Sequence, residues 1–289
     1  MSLPVSFFAP PVPLPRSSAA PSSPDILGDA GHTLPLGARR WLTLAVGSLL
    51  LAGLLSLSVV VGRLPGLSRL IDDPLFFKRC LVVHVDLALV VWFYAMLGSL
   101  SALRVPRRTA APDAFAFITA TIGVVGLIAG GGLRGAAPIL ANYVPVIDHP
   151  LFLAGLASFF AGMLMFVIGT LGRITVRRPG GMPGDAAVGV QAAGVALVLA
   201  LATWISAQAG LPAGLDRHTF FEFGFWGAGH VLQVANVCGM VAVWLWLLRR
   251  TTGHDVLSVR SARGLFLLLL APHFAMPLLS AQGAMHTTY

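Results

Sequence analysis

Seven long apolar stretches constrain the fold of this chain more than any other feature. They lie near residues 41–62, 80–103, 114–133, 150–171, 186–208, 221–248 and 263–282. A helix needs roughly 20 apolar residues to cross about 30 Å of hydrocarbon. Backbone polar groups inside a bilayer must be satisfied within the segment, and these stretches lack the alternation of a membrane β-barrel. The sequence therefore predicts an all-α, polytopic transmembrane bundle with about seven spans.

Composition excludes a soluble globular domain. Hydrophobic residues make up 56% of the chain and charged residues only 10%, against about a quarter charged in ordinary soluble domains. The formal net charge is +8, but the positive residues lie between the apolar stretches. This pattern indicates contact with a lipid bilayer and not with nucleic acid.

The arginines predict the orientation of the bundle. Twelve lie in predicted loops on one side and six basic residues lie on the other, and basic residues favour the cytoplasmic side. We therefore expect a cytoplasmic N-terminus. The twelve are Arg39, Arg40, Arg104, Arg107, Arg108, Arg173, Arg177, Arg178, Arg249, Arg250, Arg260 and Arg263, and the six are Arg63, Arg69, Lys78, Arg79, Arg134 and Arg217.

The two ends of the chain differ from the apolar middle. Residues 1–38 are rich in Pro, Ser and Ala and lack the short apolar core of a signal peptide, so we predict a disordered tail there. Residues 39–289 form the predicted transmembrane domain. Because the chain stops a few residues after the seventh stretch, we expect it to be truncated at its C-terminus.

The second stretch contains two ionisable residues, His84 and Asp86. Ionisable groups are costly at membrane depth and often mark function. Imidazole is a good axial ligand for haem iron, and Trp92 and Phe93 follow along the same stretch. His84 could equally be a hydrogen-bonded core residue. Asp86 could serve a proton path or extend towards the outer interface, and the sequence favours neither.

The sixth stretch carries His230 after three small residues, Gly227, Ala228 and Gly229. Small residues allow a bulky partner or a cofactor to approach a helix closely. Gln233 and Asn236 follow at helical spacing and extend a polar stripe, which makes them candidates for a proton path. Hydrogen bonding between helices is the alternative interpretation of His230.

His273 lies near the middle of the seventh stretch, between Pro272 and Pro277. Prolines break the hydrogen-bond ladder of a helix, and membrane proteins tolerate such breaks where neighbours or a cavity satisfy the freed carbonyls. We also expect Gly130-Gly131-Gly132 to end a helix and Pro150 to begin one, with an ordered loop between them.

Two of these motifs resemble subunit I of the haem-copper oxidase superfamily, which includes cytochrome c oxidases and nitric oxide reductases. In that family a histidine near the outer end of helix II, followed by a Trp-Phe pair, ligates the low-spin haem, and His84 with Trp92-Phe93 is similar. Helix VI carries Trp-x-x-Gly-His, whose histidine binds copper or non-haem iron, and Trp226 to His230 matches that pattern. The chain resembles the first seven of the family's twelve helices.

Other positions depart from the family pattern. Helix VII of the family has two adjacent histidines, whereas this chain has Pro272 before His273, so one of three expected metal ligands is missing. Val234 stands where some members have a tyrosine. Helix X, which supplies further haem ligands in the family, lies beyond this chain.

The resemblance implies a respiratory terminal oxidase subunit that reduces dioxygen with haem and copper. It implies His84 as haem ligand, His230 and His273 as metal ligands, and cytochrome c or quinol as electron donor. It also implies other respiratory subunits as partners and a bacterial-type inner membrane as location. Nitric oxide reduction with non-haem iron is one alternative, and a non-catalytic haem-binding or structural membrane subunit is another.

Overall fold

The computed structural model describes residues 34–64, 66, 71–103, 110–171 and 182–283. These residues form seven helical spans that are long and apolar enough to cross a membrane. The predicted all-α polytopic membrane bundle is therefore confirmed. Five spans are single helices, namely α1 (Leu36–Val61), α4 (Ala110–Gly132), α5 (Pro150–Leu171), α6 (Gly184–Gly210) and α7 (Arg217–Thr252).

The second and seventh spans are composite. The second runs from α2 (Phe76–Val85) through a π-helical segment (Asp86–Val91) into α3 (Trp92–Ala102). The seventh runs from α8 (Val259–Leu270) through a 3₁₀ segment (Ala271–Ala275) into α9 (Met276–Ala281). Pro272 and Pro277 explain the second interruption because proline cannot donate to the helix ladder. The π segment contains no proline, so the sequence did not predict it.

Several predicted helix ends are confirmed. α4 ends at Gly132 and α5 begins at Pro150, where the missing N–H of proline costs nothing. α1 begins at Leu36, so the last three residues of the predicted tail are helical. Residues 1–33 of that tail lie outside the described residues. So do seven of the arginines that predicted the orientation, namely Arg69, Arg104, Arg107, Arg108, Arg173, Arg177 and Arg178.

Glycines bring α4 and α5 into direct backbone contact. A Cβ atom added at Gly155 would lie 2.7 Å from the backbone nitrogen of Leu127, and one added at Gly126 would lie 2.8 Å from Cα of Gly155. Membrane helices pack this closely through small residues because apolar side chains gain little by leaving lipid. This closely packed helix pair lies beside the second span.

A short β-hairpin connects α4 to α5. Strands β1 (Ala137–Ile139) and β2 (Val146–Asp148) pair antiparallel, with Pro138 opposite Ile147. The connecting residues include Tyr143, whose φ of 66° lies in the left-handed region, which non-glycine residues adopt rarely. The expected ordered loop is therefore a hairpin with one conformationally demanding residue at its turn.

Candidate functional site

His84 lies in the last turn of α2 and is half-buried. Its Nδ1 atom is 2.7 Å from the backbone oxygen of Ala52 on α1. A carbonyl oxygen only accepts, so Nδ1 carries the proton and the lone pair is left on Nε2. Metal-ligating histidines commonly use one ring nitrogen in this way, which fixes the tautomer and the ring orientation. Axial ligation of haem iron through Nε2 therefore fits His84.

Arg79 fixes the helix that carries His84. Its side chain is completely buried, and it donates from Nε to the oxygen of Gly131 at 3.0 Å and from Nη1 to that of Ala136 at 3.4 Å. It also forms an ion pair with Asp73. The hydrogen bond from Arg79 holds the pKa of the Asp73 carboxyl below its ordinary value. These contacts attach the start of α2 to the end of α4.

Asp86 follows His84 at the start of the π segment. It is fully buried, and neither carboxylate oxygen has a hydrogen-bond partner among the described residues. It therefore does not extend towards the outer interface, which was one of the two alternatives for it. Buried polar groups without partners are rare, and π segments often occur at functional sites. Both features adjoin the candidate haem ligand.

Aromatic residues follow the π segment on α3. The rings of Trp92 and Phe93 pack edge to face with centroids 4.5 Å apart. The hydroxyl of Tyr94 donates to the backbone oxygen of Leu232 at 3.1 Å. This bond connects α3 to α7. On α7, Gln233 is exposed and Asn236 is half-buried, and their place on a proton path stays a prediction.

His230 is exposed on α7, and both of its ring nitrogens have partners. Nδ1 lies 3.0 Å from the backbone oxygen of Trp226, so it carries the proton. Nε2 lies 3.1 Å from the hydroxyl of Tyr143, which therefore donates to it. The rings of Tyr143 and Trp226 lie against the imidazole, with centroids 4.8 and 5.2 Å away. The lone pair that a metal would use is already engaged.

The hairpin that carries Tyr143 is attached to α7 by two further pairs of polar residues. The backbone N–H of Asn142 donates to Glu222 at 2.9 Å, and the Asn142 side chain bonds the same carboxylate. Arg217 donates from Nε to Asp148 at 2.7 Å and forms an ion pair with it. The hydrogen bond from Arg217 lowers the pKa of Asp148. All of these contacts lie at one end of α7.

His273 lies in the 3₁₀ segment of the seventh span, where its Nδ1 is 3.1 Å from the backbone oxygen of Leu269. Across the part of the chain that the structure describes, no three His, Cys, Asp or Glu side chains lie close enough to hold a metal ion. Because Nε2 of His230 is engaged by Tyr143, a metal could bind that atom only after the hydroxyl has left it.

The family of this chain follows from comparison with known proteins. The family model described as Cytochrome C and Quinol oxidase polypeptide I matches residues 38–278. The chain belongs to this family. The family resemblance of the motifs around His84 and His230 is thereby confirmed. The seven membrane spans agree with this assignment.

Two curated relatives add no named activity. An uncharacterized protein of Aquifex aeolicus (strain VF5) is 33% identical over 214 residues, covering 73% of this chain and 53% of the relative. The uncharacterized protein RP382 of Rickettsia prowazekii (strain Madrid E) is 24% identical over 247 residues, covering 76% of this chain and 48% of the relative. The chain thus spans about half the length of these relatives. No solved structure matches it.

Sequence reasoning missed the two residues that most shape these sites. In the sequence, Arg79 was notable only as a basic residue on the side opposite to most of the arginines. Its sequence neighbours gave no indication that its side chain is buried. Tyr143 lies 87 positions from His230. The small residues at 227–229 predicted a close approach. Gly229 does contact an aromatic ring, since an added Cβ atom would lie 2.5 Å from the ring atom Cδ2 of Tyr143.

Proposed function

We propose that this protein is a haem-carrying electron-transfer protein of the membrane, with His84 as an axial ligand of a low-spin haem. The observation that carries the proposal is the hydrogen bond from Nδ1 of His84 to the oxygen of Ala52. It leaves the lone pair on Nε2, which no described residue engages and which is available to iron. Family membership and the Trp92-Phe93 pair support the same ligand.

The residues around His84 have separate roles in this proposal. The carbonyl of Ala52 fixes the imidazole orientation, and Arg79 holds the supporting helix in place. Haem, when bound, supplies a one-electron carrier whose potential depends on its axial ligands and their hydrogen bonds. The hydrogen bond to Ala52 therefore makes the imidazole a stronger ligand.

A visible spectrum tests this proposal directly. The full chain is purified from haem-supplied cells, and the reduced-minus-oxidised spectrum is recorded for the wild type, His84→Ala and His273→Ala. We expect sharp reduced bands of a low-spin haem in the wild type and in His273→Ala, and their loss in His84→Ala. Circular dichroism confirms that each variant is folded. Low-spin bands of full intensity in folded His84→Ala would refute the ligand.

Reduction of dioxygen is a second candidate function, favoured by the match of Trp226 to His230 with the helix VI motif. In this candidate the protein is a subunit of a respiratory terminal oxidase in a bacterial-type inner membrane. His230 and His273 contribute to a copper site, or to a non-haem iron site if nitric oxide is the substrate. Cytochrome c or quinol supplies electrons, other respiratory subunits assemble with the chain, and Gln233, Asn236 and Asp86 lie on a proton path.

The contact between Tyr143 and His230 sets a condition on the second candidate. Nε2 of His230 must lose the hydroxyl of Tyr143 before it can bind a metal through that atom. Metal content of purified Tyr143→Phe, compared with wild type and with His230→Ala, measures this. Copper or non-haem iron that rises in Tyr143→Phe and vanishes in His230→Ala supports the second candidate. Equal metal content in all three proteins contradicts it and leaves the haem proposal unaffected.

A further inference from the structure

An open apolar groove of about 500 Å³ lies between α1 and α4. Gly47 and Leu51 contribute to the α1 wall, and Phe117 and Val124 contribute to the α4 wall. Leu87 of the π segment, which is fully buried, lies at its base. Both walls belong to membrane spans, so the groove opens where the hydrocarbon of the bilayer would be.

One end of the groove is strongly basic. Arg39 and Arg40 line it in the first turn of α1, and both are exposed. Neither forms an ion pair with any described residue, and the described residues that line the groove include no acidic side chain. Within the described part of the chain, these two positive charges therefore have no acidic partner where the apolar groove meets the membrane surface.

The groove is long enough for a lipid chain. Its α1 wall runs from Leu36 to Leu51, which at 1.5 Å per residue is about 22 Å. One leaflet contributes roughly 15 Å of the hydrocarbon thickness. A chain that enters beside the arginines can thus remain in the groove through the whole leaflet.

We propose that this groove binds an anionic phospholipid of the leaflet at the Arg39 end, with the phosphate on Arg39 and Arg40 and one acyl chain along the groove. A free anion would use only the arginines, and an apolar helix would use only the groove. A phospholipid uses both. Basic residues at the membrane surface attract anionic headgroups, and guanidinium groups pair well with phosphate.

Native mass spectrometry of the purified full chain tests the headgroup. The probes are dioleoyl phosphatidylglycerol and dioleoyl phosphatidylcholine, which share their acyl chains. We expect one phosphatidylglycerol to bind more tightly than phosphatidylcholine. In the double variant Arg39→Gln/Arg40→Gln its affinity should fall roughly 10- to 30-fold. Arg63→Gln, at the other end of α1, is the matched charge control and should bind like the wild type.

A glycine pair tests the groove itself. A Cβ atom added at Gly47 or at Gly53 meets nothing within 4 Å, so both positions of α1 accept a side chain without a clash. Gly47 lines the groove and Gly53 does not. We expect Gly47→Leu to fill the groove and weaken phosphatidylglycerol binding several-fold, while Gly53→Leu leaves it unchanged.

Four results would overturn the proposal. These are equal affinity for the two lipids, wild-type binding by the double arginine variant, wild-type binding by Gly47→Leu, and displacement of the lipid by inorganic phosphate at equal concentration. The last result would show that the arginines bind an anion alone. Haem content plays no part in this measurement, so the test is independent of the proposed function.

Discussion

The surroundings of His84 and of His230 differ in what holds each ring. His84 is held by a backbone oxygen of a neighbouring membrane helix, and the buried Arg79 fixes its own helix. His230 is exposed and is held at Nε2 by Tyr143, a residue of a hairpin outside the spans. The contacts around the first ring come from helices of the membrane bundle. The second depends on a small element attached by polar contacts.

This difference indicates how each histidine can act. A ring with a fixed tautomer and a free lone pair is ready to bind iron without rearrangement. A ring whose two nitrogens are both engaged must first lose a partner. The family motif is therefore present at His230, but neither nitrogen of its ring is available to a metal until a partner leaves.

The largest expected effect on stability is that of replacing Arg79, which anchors the region of His84, compared with Arg217, which anchors the region of His230. Arg79→Gln should lower the free energy of unfolding by on the order of 3 kcal/mol, because a buried charge network loses its centre. Arg217→Gln should cost under about 1 kcal/mol, since its ion pair with Asp148 is exposed, with 54% and 26% of the side chains accessible. Thermal unfolding of both proteins in detergent measures the difference, and equal losses would contradict the contrast.

A smaller effect is expected where α4 passes α2. A Cβ atom at Gly131 would lie 2.5 Å from Cγ2 of Val83, next to His84, whereas one at Gly132 meets nothing within 4 Å. Gly131→Ala should therefore destabilise the protein by about 1–3 kcal/mol through overpacking. Gly132→Ala is the matched control and should be close to neutral. The same thermal measurement applies, and a neutral Gly131→Ala would show that α2 shifts easily.

Removing the hydroxyl that holds His230 should have a still smaller effect on stability. Tyr143→Phe loses one hydrogen bond at an exposed site, worth about 0.5–1.5 kcal/mol. Because Nε2 is then free, His230 should react several-fold faster with diethyl pyrocarbonate, followed by peptide mass spectrometry. His84 in the same sample serves as the internal reference and should not change. Unaltered reactivity of His230 would mean that Tyr143 does not protect it.

The smallest effect concerns pH. Arg217 depresses the pKa of Asp148 in the folded protein, so the ion pair contributes stability above the ordinary aspartate pKa near 4. That contribution is lost as the pH falls through the depressed value. We expect the unfolding midpoint of the wild type to drop slightly more than that of Asp148→Asn on acidification below about pH 4. Parallel curves for the two proteins would show that the pair contributes nothing.

The spans were predictable because hydrocarbon thickness dictates their length and composition. The apolar stretch near 150–171 coincides with α5, and the one near 80–103 corresponds to the second span from Phe76 to Ala102. Proline and glycine also marked the 3₁₀ break at Ala271–Ala275 and the end of α4. Each of these signals is local, so a single sequence was sufficient.

The polar contacts of the site were not predictable in the same way. The partners of His84, Arg79 and His230 on other elements, namely Ala52, Gly131 and Tyr143, lie 32, 52 and 87 positions away. No periodicity links such residues, because the contacts exist only after the helices have packed. The roles of His84, His230 and His273 as ligands remain predictions, whereas the neighbours of each ring are now specified.

The π segment after His84 places one additional residue in that turn. In an α-helix each residue advances the helix by about 100°, so everything beyond Val91 is rephased relative to His84. In that phase the hydroxyl of Tyr94 donates to the backbone oxygen of Leu232. A homologue with an unbroken helix here should therefore align with a one-residue gap, and deleting one residue between Ala88 and Val90 should rotate the aromatic residues of α3 away from α7.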